Sequence, residues 1–540
     1  MRKINNFFVY CLEIYLKKFV FIGLCFFMTA IAVSQSTFES INCRKLSSKA
    51  VNPIIFADVP DMSIIRVGGV FYMSSTTMHM SPGVPIMQSK DLTNWKIINY
   101  AYNILEDIDE TNLTNGKWDY GRGSWASCLR YHNGTYYVST FSLTTNKTYI
   151  FITHNIEKGP WKRISFSPAY HDHTIFFDDD NHIYIIWGAG KLHIAELKED
   201  LTGIKEGTEH ILIENASAPA GDNIGLPAEG SQLFKINGKY YLFNITWPRG
   251  GMRTVLVHRA NKITGPYEGR VAFQDRGIAQ GGLVDLPDGR WFAYLFRDYG
   301  SVGRIPYLVP VSWVDDWPII GVNGKAPDTL DLSPNKGLIP GIVASDDFSR
   351  KKGEPDLPLV WQWNHNPDNR YWSVFQRKGY LRLITGSIVD NFELARNTLT
   401  QRTFGPKCTG TVEIDVSNMK DGDFAGLALL QKKYGLVGVR FENGQKRVVM
   451  AGAQNEKFEE IESIPVDRNI VFLKAKCDFT NLVDTAQFYY SLDGKEWKSI
   501  GNTLHMSYSL SHFMGYRFGL FNYATKITGG YVDFNWFRIE

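Results

Sequence analysis

Val67-Gly68-Gly69-Val70-Phe71-Tyr72 is a tight turn that opens into an aromatic strand, and the chain repeats the device. It returns as Asn133-Gly134-Thr135-Tyr136-Tyr137 and as Asp180-Asn181-His182-Ile183-Tyr184. Two further copies are Asn237-Gly238-Lys239-Tyr240-Tyr241 and Asp288-Gly289-Arg290-Trp291-Phe292. Glycine and asparagine supply the left-handed backbone of a two-residue hairpin turn, and the rings that follow favour strands. The copies recur about every 45 to 65 residues, close to the length of a four-stranded propeller blade. Five copies predict five blades over residues 45–340. A second echo, Asp91-Leu92-Thr93-Asn94-Trp95, Gly159-Pro160-Trp161 and Gly265-Pro266-Tyr267, is expected to close the outer strand of a blade. An array of sandwiches is the rival arrangement, and the regular period favours radial repetition.

From residue 341 the texture changes. Asp346-Asp347-Phe348 opens a region of alternating strands without the repeat, and Ser491-Leu492-Asp493-Gly494 reads as a hairpin turn. The last stretch, 530–539, reads as one long edge-like strand. Strands and turns over 341–540 suit a two-sheet sandwich. The expected fold class is therefore all-β, a five-bladed propeller followed by a β-sandwich. A chain of 540 residues exceeds what one core organises, in keeping with two domains.

Arg2, Lys3, Lys17 and Lys18 precede an apolar run over 19–33, and Ala32 and Ser34 fit a cleavage site before Gln35. Residues 1–34 are expected to be an export signal that sends the protein to the periplasm or outside the cell. A retained N-terminal anchor is the alternative. Loss of 1–34 removes four basic residues and one acid, so the formal net charge falls from +3 to 0. A neutral chain argues against nucleic acid as the partner and raises no objection to a neutral sugar polymer. Aromatics at 14% serve either a strand-rich core or a surface on which sugars stack. Cys11 and Cys25 lie in the signal. Cys43, Cys128, Cys408 and Cys477 are far apart, without zinc spacing, and read as buried thiols or one Cys408–Cys477 bridge.

Loops of a propeller converge on its axis, so acidic residues distant in sequence can meet there. Asp61 lies in the proline-set turn Asp58-Val59-Pro60-Asp61-Met62, just before an apolar strand. Asp172 precedes a strand in His171-Asp172-His173-Thr174-Ile175. Glu229, in Pro227-Ala228-Glu229-Gly230-Ser231, also comes just before a strand, with small neighbours that leave room beside it. Singly, each reads as well as a turn-capping residue. Together they stand in the order Asp, Asp, Glu at the starts of successive blades.

That arrangement resembles glycoside hydrolase family 43, whose usual motifs are a PDPS-like turn, a DPSLFxDDDG stretch and an EGPxLY stretch. The resemblance implies a five-bladed propeller with an appended concanavalin-like sandwich. It also implies an inverting glycosidase that releases xylose or arabinose from plant cell-wall polysaccharide fragments. By it, Asp61 is the general base, Asp172 the modulator that raises and orients the acid, and Glu229 the general acid. In an inverting route the base activates water on one face while the acid protonates the leaving oxygen from the other. A nearby anion such as Asp172 favours the protonated form of Glu229.

Departures mark a subfamily. Met62 and His173 stand where the family has proline, and the WAPD-like stretch is Trp125-Ala126-Ser127-Cys128. The resemblance implies no required cofactor. Many members hold calcium near a central histidine, and Gln280, in Ala279-Gln280-Gly281-Gly282, occupies that region here. Three further residues are candidates for substrate contact. Trp125 reads as an aromatic wall for the terminal sugar or as a core ring. Arg297 reads as a sugar-hydroxyl ligand or as a partner of Asp298. His79 reads as part of the sugar subsite or as a structural loop histidine. An exo-acting β-xylosidase or α-L-arabinofuranosidase is the leading expectation, because the sandwich matches that of the exo-enzymes. An endo-acting arabinanase or xylanase and a non-catalytic sugar-binding propeller are the alternatives.

Overall fold

In the computed structural model, residues 48–351 and 353–540 are described. The expected signal and Cys11, Cys25 and Cys43 lie outside the described residues. Among those described, no helix is long and apolar enough to cross a membrane.

Five four-stranded antiparallel sheets follow one another along the chain. Their inner strands are Ser63–Val67, Cys128–His132, Thr174–Phe177, Ile224–Ile236 and Ala279–Asp285, and we number the blades one to five in that order. Every copy of the aromatic turn joins the first and second strands of its blade. Asn133 and Gly134 show why those residue types recur, with φ of 46° and 78° in the left-handed region. The second echo leads into the fourth strand of blades one, two and four, at Lys96–Tyr102, Lys162–Phe166 and Glu268–Phe273. Second and third strands are the most buried, so their aliphatic and aromatic side chains fill the space between blades. Closure uses a separate ribbon, in which Ala50–Val51 pairs with Thr329–Leu330. Asn52 ties this ribbon to blade five by exchanging hydrogen bonds with the Leu308 backbone.

An eight-stranded and a seven-stranded sheet form the second domain. Lys407–Asn418 alternates strictly, burying Cys408, Val412, Ile414 and Val416 between the sheets. The last strand, Tyr531–Ile539, is not at an edge: it lies between Leu381–Ile384 and Lys407–Asn418. Val532, Phe534, Phe537 and Ile539 point inward, and that apolar set demands an interior place. Cys408 and Cys477 face each other across the ladder as buried free thiols.

The domains are joined by more than their linker. After the second strand of blade one, Met80–Ser81 leaves the blade and pairs with Gln362–Asn364, becoming a strand of the eight-stranded sheet. Asp58, buried between blade five and the sandwich, accepts hydrogen bonds from the backbone N–H of Arg304 and of Gly515. A carboxylate in that position fixes the loop before Gly515 against the propeller.

Candidate active site

The inner strands begin at the axis, and three of the residues there have an uncommon backbone. Asp61, Asp172 and Gln280 adopt φ of 51°, 48° and 54°. Left-handed geometry costs a non-glycine residue about 1 kcal/mol and gathers where function holds a side chain in place. It turns each residue out of the blade toward the central hollow. Blade four solves the same problem with Gly230, at φ 67°; a Cβ there would lie 2.9 Å from the Gln280 amide nitrogen.

Asp61, Asp172 and Glu229 line one cavity of about 720 Å³, with Trp125, His171, Gln280 and Arg304. They come from blades one, three and four, not from successive blades. Blade two contributes the stretch that carries Trp125 instead. Glu229 also differs from expectation in lying inside its strand, at a bulge between Leu226 and Gln232. The extra residue re-aims the side chain, as bulges beside active sites do.

Each carboxylate has a distinct setting. Both oxygens of Asp61 accept hydrogen bonds from Arg304 Nη1, at 2.9 and 3.0 Å. Burial pushes the Asp61 carboxyl up, while the Arg304 and Arg253 guanidiniums pull it down. Burial also pushes Asp172 up to about 7; His171 opposes that, and the anions Glu229 and Asp61 add to it. His171 Nε2 stands 3.0 Å from Glu229 Oε2. His171, Asp172 and Glu229 each bring a polar atom within 4.8 Å of the other two. Burial disfavours the His171 cation, but its hydrogen bond to Glu229 and the Asp172 charge outweigh this and raise it to about 9. At neutral pH the site therefore combines an imidazolium with carboxyls close enough to compete for protons.

Aromatic side chains wall the cavity. Trp125 lines it and packs against Phe513 at 4.8 Å between ring centroids. Leu510 and Phe513 come from the sandwich, and Phe513 also covers the Arg304 guanidinium at 4.2 Å. Trp247 and Arg253 also line the cavity.

Two expected contacts are elsewhere. Arg297 does not line this cavity; its guanidinium lies over the Tyr299 ring. Strand alternation explains this, because Phe296 and Asp298 on either side of it face Arg304. Asp298 pairs with Arg253 and Arg304, not with Arg297. His79 is buried at the domain seam against Tyr120 and His365, with ring centroids 4.6 Å away in both cases. The departure of Met80–Ser81 toward the sandwich carries it there.

Arg304, His171 and Phe513 were not singled out from the sequence. Arg304 lies across the blade-five hairpin from Asp298, beyond what local pattern reveals. Phe513 belongs to another domain. His171 did carry a signal, since an imidazole directly precedes a candidate acid in His171-Asp172-His173.

A second pocket of about 10 Å³ is lined by Asp61 and Asp172 together with Ser127, His173, Ser231, Gln232 and Gln280. Calcium takes six to eight oxygens at 2.3–2.6 Å. Two carboxylates, two hydroxyls and two side-chain amides thus border a space of about one water.

A propeller that gathers carboxylates and aromatic rings around one axial pocket, braced by a sandwich, has the build of a glycoside hydrolase. Residues 50–318 match the family described as "Glycosyl hydrolases family 43", and residues 345–540 match its "Beta xylosidase C-terminal Concanavalin A-like domain". A β-xylosidase of Formosa agariphila is 31% identical over 91% of this chain and 90% of its own length. A non-reducing end alpha-L-arabinofuranosidase of Bacteroides ovatus is 27% identical over 81% of this chain and 82% of its own. A solved structure described as bifunctional GH43-CE, from Bacteroides eggerthii, is 68% identical over 91% of this chain, with a TM-score of 0.91. The chain spans 64% of that longer protein. The chain belongs to glycoside hydrolase family 43: it is a glycosidase of an inverting family whose members need no cofactor.

Proposed function

We propose that the protein is an exo-acting glycosidase that releases xylose or arabinose from the ends of plant cell-wall fragments. Asp61 takes the proton of the attacking water, Glu229 protonates the leaving oxygen, and Asp172 holds a negative charge near Glu229. The observation that carries this reading is the meeting of all three in one cavity. The charge pattern divides the labour. Arg304 counters the burial that raises Asp61, and Asp172 stands beside Glu229 as the family's modulator would.

Leu510 and Phe513 support the exo assignment, because the sandwich loop forms one side of the cavity and shortens any groove across the propeller. The similar β-xylosidase and arabinofuranosidase support the pentose. The N-terminal basic and apolar pattern supports export, and the neutral mature charge supports a carbohydrate partner over nucleic acid.

Product analysis on arabinoxylan tests the reading. Monomeric pentose as the first product, with inverted anomeric configuration by NMR, is expected. A ladder of oligosaccharides would overturn the exo assignment, and retained configuration would overturn the roles.

A further inference from the structure

We propose that His171 is a positioning residue for the acid: as an imidazolium it holds Glu229 Oε2 and stabilises the carboxylate that forms as the leaving group takes the proton. The inference rests on the reading of Glu229 as the general acid.

The geometry is direct. His171 Nε2 lies 3.0 Å from Glu229 Oε2, so one carboxyl oxygen is engaged and Oε1 is left to carry the transferable proton. The ring is braced from below by Phe141, edge to face at 5.5 Å. Its backbone is fixed too, since the Gly188 N–H donates to the His171 carbonyl at 3.1 Å. Glu229 is equally constrained: its own carbonyl accepts from Asn244, which also donates to Ser231. Two side chains anchored on different blades therefore meet through one bond.

The charges around the imidazole are the Glu229, Asp172 and Asp61 carboxylates, with the buried His173 ring behind it. These neighbours outweigh the desolvation of the ring and raise it to about 9, and its geometry is that of a donor to Glu229 Oε2. The proton balance is simple. Glu229 Oε1 gives its proton to the glycosidic oxygen as the C1–O bond breaks. The attacking water gives one to Asp61 as the new C1–O bond forms. Solvent later returns a proton to Glu229 and accepts one from Asp61. His171 keeps its own proton throughout. Its contribution is greatest when Glu229 is most negative, late in proton transfer, and so falls on the transition state more than on bound substrate.

Asp172 and His171 thus act on Glu229 in opposite senses. Asp172 sets a carboxyl beside Glu229, and His171 sets a donor on it that strengthens as the proton leaves.

Leaving-group dependence tests this. His171→Ala and His171→Gln are compared with the parent enzyme on xylobiose, whose leaving group needs protonation, and on a 2,4-dinitrophenyl pentoside, whose leaving group does not. Glu229→Ala on the same pair reports on the underlying reading. Both His171 variants are expected to lose about ten- to a hundredfold in kcat on xylobiose, the scale of a hydrogen bond to a charged group, and less than threefold on the dinitrophenyl pentoside. Equal losses on both substrates would mean that His171 is only structural, and would overturn the inference. If Glu229→Ala shows the leaving-group dependence and the His171 variants do not, this inference fails while the reading of Glu229 stands. If Glu229→Ala shows none either, the reading itself fails.

Discussion

Arg304 holds both oxygens of Asp61 through a single nitrogen, in a place where both side chains are only 5% exposed. The pair closes the floor of the cavity, and the Phe513 ring from the sandwich lies over the guanidinium. Catalytic charge and domain packing are therefore one arrangement.

Arg304→Met should leave Asp61 as a buried, unpaired charge. Breaking such a pair costs about 3 to 5 kcal/mol. The Asp61 carboxyl, already raised by burial, loses the guanidinium that opposed the shift and rises further. A raised carboxyl contributes stability at low pH and loses it as pH climbs through its folded value. The deficit in urea midpoint should therefore shrink at acid pH, and the acid limb of kcat/KM should move up. A deficit independent of pH would separate Arg304 from Asp61.

Asp172→Asn keeps the shape and removes the charge. Glu229 then loses the neighbouring carboxylate on which its proposed role as acid relies. A fall in kcat of about a hundredfold is expected, within the range of acid–base catalysis. Steady-state kinetics on xylobiose measure it, and a parental kcat would separate Asp172 from the acid.

His79 concerns stability rather than chemistry. Burial lowers it to about 3, with Arg517 adding to the shift. Neither ring nitrogen has a hydrogen-bond partner. A histidine depressed in the folded state takes up a proton more readily when unfolded, so its stability is lost as pH falls below about 6.5. Between pH 7 and 5 that loss is about 2 kcal/mol. His79→Leu, of similar bulk, should lose less unfolding free energy than the parent over that interval by this amount. Chemical denaturation at the two pH values measures it, and parallel losses would show that His79 does not titrate on unfolding.

Phe513→Ala should open the cavity on the sandwich side and uncover Arg304. We expect KM for a nitrophenyl pentoside to rise about tenfold, with Tm nearly unchanged because the Asp58–Gly515 hydrogen bond remains. A large fall in Tm would make Phe513 a packing residue first.

The propeller was legible because each blade needs the same turn in the same place, and residues such as Asn133-Gly134 satisfy its backbone locally. Asp61 and Asp172 were legible for a related reason: they sit at the starts of inner strands. Glu229 could be identified but not located, because a bulge depends on the partner strand and leaves no period in the sequence. Arg304 went unread beside Arg297 because only pairing across the hairpin decides which arginine meets Asp61. Of the two readings of His79 the structural one holds, but nothing local announces that Met80–Ser81 leaves its blade for another domain and carries the ring to the seam. The last strand, long and aromatic, looked like an edge until its apolar alternation was matched with the sheets on both sides.

The most direct measurement is the rate of Asp61→Ala and of Glu229→Ala on a nitrophenyl xyloside and a nitrophenyl arabinofuranoside. With one residue as base and the other as acid, each variant should fall by about 10²- to 10⁴-fold on the substrate the parent enzyme prefers. Near-parental turnover by both would contradict the assignment of base and acid.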